Sequence, residues 1–262
     1  MSTATVPAPA ALTPRRFDRP GLGLLTRVEL RKAVDTRAGR WLLAITALGA
    51  LAVAIARGLT GAVDDRTFAG ALELGLLPLS VLLPVIGILL VTSEWSQRTA
   101  LATFALVPHR GRVAGAKLLA ALTLGLLATV AAVAAAAIGN GVGIAAGGAN
   151  GSWSLSGAEL VQTVLGIEAN ILIGVAFGLL LMSPAIAIVA YFALPTVFSI
   201  LGEVISSLES TFGWIDPNRA LEPLYTGDAA GADWGRIAVC LALWVGVPLA
   251  AGAWRLLRRE VK

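Results

Sequence analysis

The sequence predicts an all-α, polytopic membrane protein with six transmembrane helices, and three observations carry that reading. Hydrophobic residues fill 57% of the 262 positions and charged residues only 14%, whereas soluble domains carry about 25% charged residues. The apolar residues are mostly Leu, Ala, Val and Gly in long runs, which reads as helix in lipid. A membrane barrel would need stretches of about ten residues alternating with a period of two, and none is found. The basic residues stand beside the apolar runs, where membrane topology places them, so the net charge of +4 does not point to nucleic acid.

A spanning helix needs roughly 17–25 mainly apolar residues, and six segments qualify: about 41–57, 74–92, 118–138, 160–182, 185–207 and 237–254. Residues 1–22 are rich in Pro, Ala and Thr and lack the uninterrupted apolar core of a signal peptide; they read as a disordered cytosolic tail before one six-span transmembrane domain, 23–262. Arg40 and Arg57 bracket the first span. Pro78 and Pro84 are expected to bend the second. The glycines and Asn residues of 139–157 are expected to break any helix there. Met182, Ser183 and Pro184 form a tight hairpin between spans four and five, with Pro184 suited to a first helical turn. The acidic stretch 208–236 has an apolar start, Phe212, Trp214 and Ile215, able to dip into the interface.

Basic residues orient these spans. With the amino end inside, inner segments hold 16 of the 20 Lys and Arg, and only Arg57, Arg66, Arg219 and Arg236 fall outside. That bias predicts both termini on the cytoplasmic side of the cell membrane.

Little in the chain offers catalysis. The nearest approach to a phosphate-binding loop, Gly111–Lys117, has the wrong spacing, and Leu118 follows where a hydroxyl is needed. The single histidine, His109, has no ligand cluster around it and reads as a solvated loop residue, so no metal is expected. Cys240 lies in an apolar run and has no second cysteine to pair with. No catalytic Ser/His/Asp set can be assembled, and the chain is expected to be no enzyme by itself.

The most informative segment is 92–117, TSEWSQRTALATFALVPHRGRVAGAK. From Glu94 to Pro108 the residues suit a helix, with Ala100, Leu101, Phe104 and Val107 on one face and Ser96, Thr99 and Thr103 on another. This fits a short amphipathic helix lying on the membrane or in a partner's groove; a solvated connector with anchoring charges fits the periodicity equally well. Here the residues resemble a family. Glu94 at the end of span two, Thr99, Leu101 with Leu106, Pro108, Arg110, and Lys117 opening span three are similar to the cytoplasmic loop of the ABC type-2 permeases. Arg98 stands where that pattern has Gly. The segment 27–43 is similar to the family's interfacial helix before span one, although on a helical wheel Leu24, Leu25 and Val28 share a side with Lys32 and Asp35, so the amphipathicity is poor.

The resemblance implies the membrane subunit of an ATP-driven ABC exporter, with a cytoplasmic coupling helix between spans two and three. A separate ABC ATPase subunit, two per complex, would bind ATP and Mg and take the loop into a cleft. The residues implied in coupling are Glu94, Trp95, Arg98, Thr99, Leu101, Phe104, Pro108 and Arg110. A second permease subunit would complete a homodimer or heterodimer, and this chain would hold no cofactor.

Glu168 is the main intramembrane oddity, with Asn170 two residues on and Gln162 on the same span. A carboxylate at mid-helix costs about 2.5–3.5 kcal/mol on insertion scales and usually faces the bundle interior or a watery path. Glu168 and Asn170 are therefore candidates for a translocation path; a buried hydrogen-bonded contact or a wet vestibule is the plainer alternative. Gly174 and Gly178 form Gly-x-x-x-Gly, which permits close helix packing. Two further functions compete: a proton-coupled secondary transporter using Glu168, for which no internal repeat is apparent, and a non-transporting membrane scaffold.

Overall fold

Apolar runs in lipid have no water for their backbone N–H and C=O groups, so the helix, which pairs them within one segment, is the form left to them. The computed structural model describes residues 20–60, 62–97, 99, 109–148, 151–205, 207 and 209–258, and among these no residue is in a strand. A first helix, α1 (Leu22–Asp35), turns at Thr36 into α2 (Arg37–Leu59). There follow α3 (Phe68–Ser96), α4 (Arg110–Ala145), α5 (Gly157–Leu181) and α6 (Pro184–Val204). Two short helices, α7 (Glu209–Ile215) and α8 (Pro217–Thr226), precede α9 (Asp233–Leu241). That helix runs through a π-helical turn, Ala242–Gly246, into α10 (Val247–Arg258). Among the described residues six helices are long and apolar enough to cross a membrane: α2 to α6, and the joined unit Asp233–Leu256. The chain is a membrane protein.

Short polar residues set the helix starts. Thr36 caps α2 by accepting from the Gly39 N–H at 3.0 Å, and Thr67 caps α3 by accepting from Gly70 at 3.0 Å. Ser156 and Glu159 form a reciprocal capping box on α5, which satisfies two otherwise orphaned donors. At the other end of α5, Met182 adopts a left-handed conformation (φ 52°) and its N–H bonds the Gly178 carbonyl; Pro184 then opens α6. The hairpin expected at 182–184 is thus built by a helix stop and a helix start in adjacent residues.

Helix α3 is the hub. It packs against α2, α4 and α5, and Leu72, Leu76, Leu79, Leu83, Ile86 and Leu90 from it join the main core. A second core gathers Ile173 and Phe177 of α5, Leu221 and Leu224 of α8, and Ile237, Cys240 and Trp244 of the last span. Cys240 is fully buried there as a small apolar group. The Gly174 and Gly178 pair faces α3: a Cβ on Gly174 would lie 2.4 Å from the Pro84 carbonyl oxygen, and one on Gly178 would lie 3.2 Å from Ile88 Cα.

One expectation is overturned. Residues 139–145 do not break the helix; α4 continues to Ala145 through Gly139, Asn140, Gly141 and Gly143. Glycine weakens an isolated helix by about 1 kcal/mol per residue relative to Ala. Here Gly139 and Gly143 lie against the backbone of Ala54 and Gly58 on α2, so close packing offsets the loss. Asn140, also buried, donates to the Ser152 carbonyl at 3.1 Å. Pro78 and Pro84 sit inside α3, which is continuous through both. Within the acidic stretch, residues 209–236 are largely helical rather than loop, with Phe212 buried in α7 and Leu221 and Leu224 buried in α8.

Candidate functional site

The strongest concentration of charge lies where α1, α3 and α4 meet. Helix α1 presents a carboxylate, Glu29, to the bundle, and Glu29 is its only buried residue. Glu94 comes from the last turns of α3 and Lys117 from the second turn of α4; both are buried. Lys117 Nζ donates to Glu29 Oε2 at 2.7 Å and to the Leu90 carbonyl at 2.9 Å, and it lies 3.4 Å from Glu94 Oε2. Lys32, one turn beyond Glu29, donates to Glu29 Oε1 and to Glu94 Oε1, each at 2.7 Å. Two carboxylates and two ammonium groups therefore alternate in a closed ring. An ammonium has three donors and no acceptor, and each direction of Lys117 meets an oxygen. The ring joins both ends of the 94–117 segment to α1.

Lys32 is the half-exposed member. Burial opposes its charge, but the hydrogen bonds and attraction from Glu29 and Glu94 outweigh that and raise its pKa above the ordinary lysine value of 10.5. A raised folded value means the stabilisation is complete below 10.5 and is lost as pH rises through the folded pKa. Thermal unfolding in detergent is expected to show an alkaline fall in stability above pH 10.5 that is smaller in Lys32→Met. An identical alkaline profile in the two proteins would contradict this assignment.

Of the residues singled out in 94–110, Arg98, Leu101, Phe104 and Pro108 lie outside the described residues, as does most of the amphipathic stretch. Glu94 is in the ring. Trp95 is half-buried, and its carbonyl accepts from the Gln97 N–H. The Thr99 N–H bonds the Glu94 carbonyl at 3.0 Å. Arg110 reaches across to α10 and donates to the Leu256 carbonyl at 2.9 Å. His109 is exposed just before α4. Glu29 was not singled out by sequence reasoning, because a Glu among Arg and Lys in a short polar helix reads as surface. A signal did exist in the Glu29–Lys32 spacing of one turn beneath Leu25.

At the opposite end of the bundle, polar side chains of α5 are satisfied pairwise. Gln162 clamps Ala229, donating to its carbonyl at 3.2 Å and accepting from its N–H at 2.9 Å. Asn170 donates to the Tyr225 hydroxyl at 2.7 Å and accepts a short hydrogen bond from the Tyr191 hydroxyl. Asn170, Tyr191 and Tyr225 border a cavity of about 490 Å³ between α3, α5, α6 and α8.

Glu168 is different. Both its carboxylate oxygens are buried and have no hydrogen-bond partner among the described residues, and they occupy the space left by the missing side chain of Gly125 on α4. Glu168 thus faces α4, while Asn170 faces α6 and α8. The structure does not join the two into one polar track: Asn170 lines the cavity and Glu168 does not.

No protein-family model matches the chain, and no curated protein matches it.

Proposed function

We propose that the chain is the membrane permease subunit of an ATP-driven ABC exporter, with ATP hydrolysis supplied by a separate ATPase subunit. The ring of Glu29, Lys32, Glu94 and Lys117 is the observation that supports this reading most. It ties the two ends of the segment that resembles a coupling loop to a surface helix, α1, and to the hub helix α3. Force applied to residues 95–116 would reach the bundle through buried ion pairs and packed backbone, which move as discrete units. The distribution of Lys and Arg supports placing this end in the cytoplasm of the cell. Apolar side chains exposed along α2 and α6, including Ile45, Leu48, Val189, Val197 and Val204, supply faces for lipid and for a second permease subunit.

The test is copurification. Wild-type chain, purified from its native membranes, is expected to bring an ATPase through two affinity steps and to support its turnover. Glu94→Arg is expected to destabilise the ring and to lower turnover at least several-fold, read on the fraction that still elutes as a monodisperse membrane protein. Absence of any copurifying ATPase removes the reading; unchanged turnover in Glu94→Arg removes the role of that residue.

A second reading rests on Glu168, whose unpartnered carboxylate is what a proton-coupled secondary transporter would need. Under it, Glu168→Gln abolishes transport and no ATPase is required.

A further inference from the structure

We propose that the cavity between α3, α5, α6 and α8 binds an amphiphilic organic cation that enters from the lipid. Its volume, about 490 Å³, falls in the range of pockets that hold drug-sized ligands, roughly 300–1,000 Å³. Its charge is of one sign. Glu73 of α3 and Glu222 of α8 line it, and among the described residues no Lys or Arg does. Neither carboxylate has an ion-pair or hydrogen-bond partner for its side chain among the described residues. The basic residue in the adjoining cavity, Arg57, is held by Asp65 at 3.3 Å. Two uncompensated carboxylates beside one cavity favour a cation as occupant.

The remaining walls select the kind of cation. Tyr191, Phe192 and Tyr225 line the cavity, and aromatic faces attract cations by about 0.5–1 kcal/mol at exposed sites and more when desolvated. Tyr191 and Phe192 pack edge to face, with centroids 4.9 Å apart and planes at 88°. The Asn170 bonds to Tyr191 and Tyr225 pin both phenols, so the rings are set before a ligand arrives, which lowers the entropy lost on binding. Leu77 and Val81 of α3 also line the cavity and are exposed on a spanning helix, so its mouth opens toward lipid. A small hydrated ion such as sodium would leave these apolar walls unmatched; a cation carrying an apolar body satisfies both halves.

The inference rests on the proposed function only in calling the occupant cargo; the binding itself needs no ATPase. The probe is tetraphenylphosphonium, measured by equilibrium dialysis against the purified chain in detergent, with a protein-free micelle blank. Its isostere tetraphenylborate has the same shape and the opposite charge. Saturable binding of the phosphonium and none of the borate is expected. The variant Glu73→Gln/Glu222→Gln alters two exposed side chains, leaves the fold intact, and is expected to weaken phosphonium binding about tenfold, an equivalent of about 1.4 kcal/mol. Glu209→Gln, outside the cavity, is expected to bind as wild type. Equal binding of both isosteres, or unchanged affinity in the double variant, overturns the proposal. Either failure leaves copurification with an ATPase untouched, and failure of copurification leaves the binding result standing.

Discussion

Replacing Lys117 by Met is expected to destabilise the protein by about 3–5 kcal/mol, the usual loss when one partner of a buried ion pair is removed. The substitution preserves length and apolar stem, so packing changes little. What it removes is the buried cation 2.7 Å from Glu29 and 3.4 Å from Glu94, together with the donor to the Leu90 carbonyl. Two carboxylates then remain buried with one half-exposed ammonium, Lys32, between them. Glu29→Gln/Lys117→Met removes one charge of each sign and leaves the Lys32–Glu94 pair. This double variant is expected to be more stable than Lys117→Met alone, because the uncompensated charge and not the missing contact is the larger penalty. Since membrane proteins often unfold irreversibly, the measurement is the half-life of tryptophan fluorescence at one elevated temperature in detergent. Wild-type half-life in Lys117→Met, or strictly additive losses in the double variant, would show that the ring is not a buried electrostatic unit.

The ring also shows where sequence reading reaches its end. The six spans were legible because each is a run of apolar residues of about the length that a bilayer's hydrocarbon core requires, a property contained within the segment. Their full lengths were less so. Helix α4 starts at Arg110, well before the apolar run at 118–138, because Arg110 and Lys117 find partners on α10, α1 and α3. It ends at Ala145, beyond three glycines, because two of them pack on another helix. Glu94 and Lys117 stood out through a family resemblance. Glu29 did not, since its burial depends on which face of α1 meets α3 and α4. The poor amphipathicity of α1 has the same origin: the face it turns inward mixes Glu29 and Lys32 with the apolar Leu30 and Ala33. Asn170 was visible as a polar residue in a span, but its partners Tyr191 and Tyr225, 21 and 55 residues away, belong to tertiary structure. Glu168 was visible for the same reason, and the glycine that admits it, Gly125, lies 43 residues earlier on a neighbouring helix.

Gly139→Leu is expected to prevent normal folding, while Gly141→Ala, two residues away on the same helix, is expected to be neutral or stabilising by up to about 1 kcal/mol. The contrast follows from the seam between α2 and α4. A Cβ at Gly139 would lie 2.4 Å from both the carbonyl carbon and oxygen of Ala54, one at Gly143 would lie 2.5 Å from the Gly58 oxygen, and one at Gly58 would lie 2.3 Å from the Gly139 oxygen. These neighbours are backbone and cannot rotate away, so any side chain separates the helices. Overpacking in a tight core costs about 1–3 kcal/mol, and a branched four-carbon side chain against main chain exceeds that. A Cβ at Gly141 meets nothing within 4 Å, so only the intrinsic helix preference for Ala remains. Gly125 is an intermediate case: the atoms nearest a Cβ there belong to the Glu168 carboxylate, at 2.5 Å and 2.8 Å, the far end of a flexible side chain, and Gly125→Ala is expected to be tolerated. Monodisperse yield from the membrane and the fluorescence half-life read all three. The seam closes α2 onto α4 at the end of the bundle opposite the charge ring, so the two features together bind α1, α2 and α4 into one unit around α3. If Gly139→Leu accumulates and unfolds like wild type while Gly141→Ala does the same, the helices are not held at backbone contact and that unit does not exist.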